Sequence, residues 1–441
     1  MRWSRAWRRS ASPMLGSHKI ESSRYTARMN RSVSARTLYA LLCVTGLGHA
    51  TAMAPHDTAA PAYATAPATS QAAPAPATGA PDAVPGIPSV PPIDARAYIM
   101  VDAASGAVLA EHAADVHLEP ASLTKLMTCY LVFNALRTGT LKLDEMVTVS
   151  EHAWRAEGSR TFVQVGSQVP AEVLIKGMIV QSGNDATIAL AERVGGTEGG
   201  FVQLMNATAR RLGMNDSHFD DSSGLPSPTH YMTARDISKL ARALLHDFPE
   251  YYPLFSIREF LWNNIRQQNR NGLLERDPSV DGMKTGHTDS AGYCLVSSAR
   301  RQGMRLITVV LGSASIRARE DASAALLNYG FTFYQAVTVK QAGAIVLKPR
   351  IFKSDEEFVG VAPATQVDIV VPRSAAGSIQ TSASVSRPLI APLTRTSVVG
   401  SLQIVVSGKP VSSVPLFPVG DVPVGGPWTR LRDTVQLWWQ K

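Results

Sequence analysis

The chain has 441 residues, 45% of them hydrophobic and 18% charged, and a formal net charge of +8. That length gives room for about two or three domains, each with its own core. The charge invites a nucleic-acid reading, but residues 1–36 hold nine Lys or Arg against one acid, Glu21, which accounts for the whole excess. The rest is balanced, with no basic stripe carrying interleaved aromatics, so nucleic acid is excluded as a partner.

Arg31 and Arg36 precede an apolar run from Leu38 to Gly48, followed by the small-residue sites Ala50-Thr51-Ala52 and Ala52-Met53-Ala54. This pattern reads as a secretory signal peptide over residues 1–52, with Met29 as an alternative start. The run is too short to span a bilayer. Cys43 lacks the leucine three residues upstream that a lipoprotein signal favours. Residues 53–93 are rich in Ala, Pro and Thr and contain no Lys or Arg. They bury too little apolar surface to offset their ordering entropy and read as a linker.

The first fold, residues 94–340, opens with a β-hairpin, Ala97–Asp102 and Ala107–Ala110 around the turn Ala103–Gly106. After Pro120, apolar residues at Leu123, Leu126, Met127, Tyr130, Leu131 and Phe133 mark a buried helix. The stretch from Leu143 to Pro170 reads as loop. Val173–Val180 reads as helix, stopping at Gln181-Ser182-Gly183, where a new helix runs to about Val194. Further helices are expected over Phe201–Leu212, ending at Gly213, and over Ala234–Leu245, opened by Thr233 and Asp236. Strands follow at Val280–Thr288, Tyr293–Ser298 and Leu306–Leu311, the last two joined near Gly303, then a helix over about Ala318–Gly330. The order predicts an α+β fold: one antiparallel sheet whose edge strands come from both ends of the domain, with helices packed on it. Residues 341–424, with Val-rich alternating segments among Pro, Gly and Ser, read as a small all-β domain. Residues 425–441 read as an amphipathic helix.

Three short motifs carry chemistry. Ser122 and Lys125 lie three apart on one helix face, with Ser122 in the first turn, where free N–H groups favour developing negative charge. A lysine held against an apolar helix loses hydration, so its pKa falls and it becomes a base beside a nucleophile. Ser182-Gly183-Asn184 and Lys284-Thr285-Gly286 follow downstream. Each alone has a structural reading, as a polar helix corner, a turn or a strand end. All three in order on suitable elements form the signature of serine β-lactamases and penicillin-binding proteins. In this reading Ser182 relays a proton, Lys284 holds Ser182, and Asn184 orients Lys125.

On Pro120–Lys125, Gln181–Ala186, Asn269–Leu274, Val280–Thr288 and Ala291-Gly292-Tyr293, the chain from about residue 94 resembles the low-molecular-mass penicillin-binding proteins that are D-alanyl-D-alanine carboxypeptidases. The resemblance implies a transpeptidase-like (β-lactamase-like) catalytic fold, a small β-domain and a C-terminal membrane anchor. It implies a serine carboxypeptidase that removes the terminal D-alanine of peptidoglycan pentapeptides through an acyl-enzyme and is acylated by β-lactams. The catalytic set is Ser122, Lys125, Ser182, Asn184 and Lys284. Thr285, Gly286, His287, Arg319 and Arg270 would bind substrate, with the N–H groups of Ser122 and His287 as oxyanion donors and Arg319 as the carboxylate partner. No cofactor is implied. No metal is implied either, His218, His230 and His246 lacking ligand spacing. The alternatives are a D,D-endopeptidase and a non-catalytic wall-shaping protein. No Glu-x-x-Leu-Asn stretch of the kind that deacylates class A β-lactamases occurs between Asn184 and Lys284.

Cys129 and Cys294 read as small buried hydrophobes, with a bridge between them as the alternative. In the tail, Trp428, Leu431, Val435 and Trp438 fall at helical spacing. The expectation is a helix lying in the interface on the periplasmic face of the inner membrane, reached through a flexible hinge at Val422–Pro427. The competing expectation is a helix folded back on the β-domain.

Overall fold

The computed structural model describes residues 87–439. The signal-peptide reading and most of the linker reading fall outside the described residues. The end of the expected linker belongs to the fold. Ile87, Val90 and Ile93 pack half-buried on the core, and Tyr329 Oη donates to the Pro88 carbonyl at 2.9 Å.

The sheet is built from β1 (Ala97–Asp102), β2 (Val108–His112), β3 (Val280–Thr288), β4 (Gly292–Arg301) and β5 (Met304–Ser313). The order is β2-β1-β5-β4-β3, so its edges come from the two ends of the domain, as the sequence order predicts. All neighbours are antiparallel, with Ile99 opposite Val309 and Lys284 opposite Val296. Side chains alternate along a strand, and both faces are covered. On β5, Ile307, Val309 and Leu311 join one core while Leu306 and Val310 join the other.

The first core is filled by α1 (Lys125–Arg137), α2 (Asn184–Gly195), α3 (Glu198–Arg211) and α4 (Ala234–Asp247). Eleven of the thirteen α1 residues are buried, which explains why its apolar positions are not confined to one stripe. The Thr233 hydroxyl accepts from the Asp236 N–H and starts α4. The second core lies under α5 (Ile316–Phe333), capped by Ser315 and packed through Leu326 and Leu327. Burying each such leucine stabilises the fold by about 1.5–3 kcal/mol.

The β-domain begins earlier than its composition suggests. The strand β6 (Tyr334–Lys340) pairs with β7 (Val367–Pro372). β8 (Ile379–Val385), β9 (Gly400–Val406) and β10 (Lys409–Pro418) form a second sheet with Val361–Ala362.

The tail forms α6 (Pro427–Trp439). Its approach is not the expected flexible hinge. Val422 N–H donates to Leu393 O at 2.8 Å, Gly425 N–H to Lys353 O at 2.8 Å, and Gly426 N–H to an Asp355 carboxylate oxygen at 3.2 Å. Three main-chain donors of this Pro-Gly-rich stretch are taken by the β-domain, which fixes its path. Asp433, 1% exposed, accepts the Lys353 N–H at 2.6 Å, so the polar face of α6 lies on the β-domain. No described helix is long and apolar enough to cross a membrane.

Candidate active site

Pro120 leads into a tight turn, Ala121–Thr124, that precedes α1, so Ser122 sits just before the α-helix proper and Lys125 opens it. β3 packs directly on this turn. A Cβ on Gly286 would lie 2.9 Å from the Pro120 carbonyl, so only glycine lets Thr285 and His287 approach Ser122 this closely.

Lys125 is fully buried, and its Nζ has three partners: Ser122 Oγ at 2.9 Å, Asn184 Oδ1 at 2.7 Å and the Ser223 carbonyl at 2.7 Å. Two of these are acceptors only. A neutral amine has two N–H groups and one lone pair. Asn184 and Ser223 take the two N–H groups, which leaves the lone pair facing the Ser122 hydroxyl. Burial drives the lysine pKa down to about 7; Asp221 pulls it up and Arg270 pushes it down.

The second motif follows an unusual turn. Gly177–Gln181 is a π-type turn, and Ser182 ends it in the left-handed region at φ 64°. Asn184 opens α2, its Nδ2 donating to Glu157 O at 2.6 Å. Lys284, 1% exposed, donates from Nζ to Ser182 Oγ at 3.0 Å and to Thr285 O at 2.9 Å. Burial first, then the charges of Lys125 and Arg270, hold its pKa well below the ordinary lysine value.

Ser122, Ser182, Thr285, Gly286, His287, Arg270 and Arg319 all line one cleft of about 620 Å³. The two arginines differ. The Arg319 guanidinium donates to the carbonyls of Gly286 at 3.2 Å, Cys294 at 3.4 Å and Arg270 at 3.2 Å, so its terminal nitrogens are engaged with main-chain carbonyls. The Arg270 side chain is exposed in the cleft and has no hydrogen-bond partner among the described residues. His287 lies against Tyr293, with ring centroids 4.0 Å apart.

Four contributors escape the sequence. Gly158 and Ser159 form a cleft wall from the stretch read as loop. Asp185 fixes that wall, accepting the N–H groups of Thr161 at 2.7 Å, Phe162 at 2.9 Å and Val163 at 3.3 Å. Asp221 positions the Ser223 carbonyl. It accepts the N–H groups of Ser223 and Gly224, both at 2.6 Å, and faces the buried His230, whose Nε2 meets Thr124 Oγ1 at 2.9 Å. For Asp221 the only signal was the clustering of Asp, Ser and Gly at 220–224, which reads equally as a turn; Asp185 lies within the Gln181–Ala186 stretch, where its role was not read. Cys129 and Cys294 are free and buried, and burial pushes the Cys129 thiol up to about 12. Among the described residues no group of three His, Cys, Asp or Glu side chains could hold a metal ion.

Comparison with known proteins agrees along the chain. The D-alanyl-D-alanine carboxypeptidase family model matches residues 85–315, and that of the penicillin-binding protein 5 C-terminal domain matches residues 334–423. The chain is 42% identical over 355 residues to D-alanyl-D-alanine carboxypeptidase DacC of Escherichia coli K12, covering 79% of this chain and 89% of the relative. It is 38% identical to DacA of the same strain, covering 79% and 88%. The crystal structure of penicillin-binding protein 5 from Haemophilus influenzae superposes with a TM-score of 0.71 at 37% identity, over 76% of this chain and 99% of that one. Geometry, domain order and relatives converge: the chain belongs to the D-alanyl-D-alanine carboxypeptidase family of serine hydrolases.

Proposed function

We propose that this protein removes the terminal D-alanine from peptidoglycan pentapeptides, with Ser122 as nucleophile and Lys125 as its base. The observation that carries this is the Lys125 amine, whose two acceptor-only partners leave its lone pair for the Ser122 hydroxyl. Ser122 attacks the carbonyl between the two D-alanines and Lys125 takes its proton. Positioned proton transfer contributes ~10²–10⁴-fold. The N–H groups of Ser122 and His287 receive the oxyanion; one such donor is worth about 3 kcal/mol. Ser182, oriented by Lys284, passes a proton to the leaving amine, and water then releases the acyl group. A β-lactam ring opens onto Ser122 in the same way. For the substrate carboxylate Arg270, without a hydrogen-bond partner among the described residues, is the better fork, with Thr285 beside it, while Arg319 braces the main chain at Gly286, Cys294 and Arg270.

The basic leader with its apolar run supports export to the periplasm. The exposed tryptophan face of α6 supports peripheral attachment to the inner membrane.

The test is D-alanine release from a pentapeptide ending in D-Ala-D-Ala and from the same peptide amidated at its C-terminus. Release from the free acid alone, reduced about tenfold or more in Arg270→Ala, is the expected result. Equal turnover of both peptides would remove the carboxylate reading, and no release from either would remove the activity.

A further inference from the structure

A second cavity, of about 770 Å³, opens on the β-domain beside α6. Its floor is a short parallel pair, Ile351–Phe352 with Leu389–Ile390. Three cations line it: Arg350, Lys353 and Arg387. Among the described residues none of them forms an ion pair, and the Lys353 and Arg387 side chains have no hydrogen-bond partner. Arg350 donates to the neutral Gln436 amide oxygen at 3.0 Å. Apart from Thr434 the remaining wall is apolar, with Leu389 from the β-domain and Leu437 and Trp438 from α6.

Helix geometry places this cavity beside the exposed arc of α6. At 100° per residue, Leu437 and Trp438 turn toward the cavity, and Trp438 also begins the arc that continues through Leu431, Val435, Trp428 and Trp439. Trp428, Trp438 and Trp439 are 83%, 74% and 79% exposed. Tryptophans in such an arc suit the headgroup level of a bilayer.

We propose that this cavity binds the headgroup and upper chain of one anionic phospholipid of the bilayer on which α6 lies. This rests on the interfacial reading of α6 and adds a lipid selectivity that the helix alone does not provide. Charge complementarity and apolar lining favour this occupant together. A free phosphate would pair with the cations and leave Leu389, Leu437 and Trp438 uncovered. An apolar peptide would cover them and leave three cations facing it without counter-charge. An anionic lipid matches both, and its chain exits toward the tryptophan arc. Cationic side chains at a membrane surface attract anionic lipid.

The experiment uses the full chain in two assays. One is sedimentation with vesicles of phosphatidylcholine, with or without phosphatidylglycerol. The other is titration with soluble dihexanoyl phosphatidylglycerol followed by tryptophan fluorescence. The proposal expects tighter binding to the anionic vesicles and saturable binding of the short-chain lipid. It expects both to fall about tenfold or more in Lys353→Gln/Arg387→Glu, with residual phosphatidylcholine binding retained. D-alanine release from a soluble peptide stays at the parent level in that variant, because the cavity shares no residue with the catalytic cleft. Unchanged anionic preference in the double variant, or equally tight binding of glycerol phosphate and of the short-chain lipid when both are titrated in the fluorescence assay, overturns the proposal. If the parent sediments with neither vesicle type yet binds the short-chain lipid, the interfacial reading of α6 fails and the cavity stands.

Discussion

Lys125 can act as a base only because nothing else around it needs its proton. Its pair with Ser122 is visible in the sequence, since spacing alone puts the two on one face. Asn184 is announced by its motif, but the remaining acceptor, the Ser223 carbonyl, is not visible: a main-chain oxygen 98 positions away carries no side-chain signal. Lys125→Arg keeps the charge but cannot give up a proton near neutral pH. Acylation by a penicillin should therefore fall as far in Lys125→Arg as in Lys125→Ala, measured by stopped-flow; near-parent rates in the arginine variant would show that charge suffices. The pH dependence has a defined sign. The amine must be neutral, so acylation rises as pH climbs through about 7 and then levels. Asp221 raises this pKa and Arg270 lowers it. Asp221→Asn should move the rising limb to lower pH, and Arg270→Ala should move it to higher pH. Identical midpoints in all three proteins would show that neither charge reaches Lys125.

Elements bring the motifs together, and here the sequence reading succeeds where patterns are long. β3, β4 and β5 alternate between two cores, α1 is a long apolar run and α4 carries clear apolar spacing. It is weakest over residues 143–170, where short pieces such as Met146–Thr148 paired with Gln168–Pro170 have too few residues to show a period. That region forms a cleft wall because Asp185, fully buried at the start of α2, holds the N–H groups of residues 161–163. Asp185→Ala leaves the buried N–H groups of Thr161 and Val163 without partners and should cost about 3 kcal/mol, read as a lower urea midpoint. Its acylation rate should fall as well, since Gly158 and Ser159 lose their support. A parent-like midpoint would show that water replaces the carboxylate. The left-handed Ser182 is a further feature that residue type could not announce, serine being an uncommon choice at φ 64°.

At the scale of the whole molecule, the β-domain has few charges and no histidine, and contributes placement rather than chemistry. The sequence identified both the domain and the helix after it. It did not identify the join, because β6 follows α5 without a break and its pairing with β7 skips 26 residues of chain. The two readings of the tail prove compatible. Asp433, Gln436 and Thr429 bind the β-domain on one side of α6, while the tryptophans stand exposed on another. Deleting residues 426–441 should shift the protein from the membrane to the soluble fraction while D-alanine release from a soluble peptide persists. Continued sedimentation of the truncated protein with membranes would show that the anchor lies elsewhere.

The central claim is that Ser122 is acylated. Intact-protein mass spectrometry after exposure to benzylpenicillin, followed by peptide mapping, tests it most directly. One covalent adduct on Ser122, absent from Ser122→Ala at unchanged thermal stability, is the result predicted. An adduct on another residue, or one that persists in the alanine variant, would contradict it.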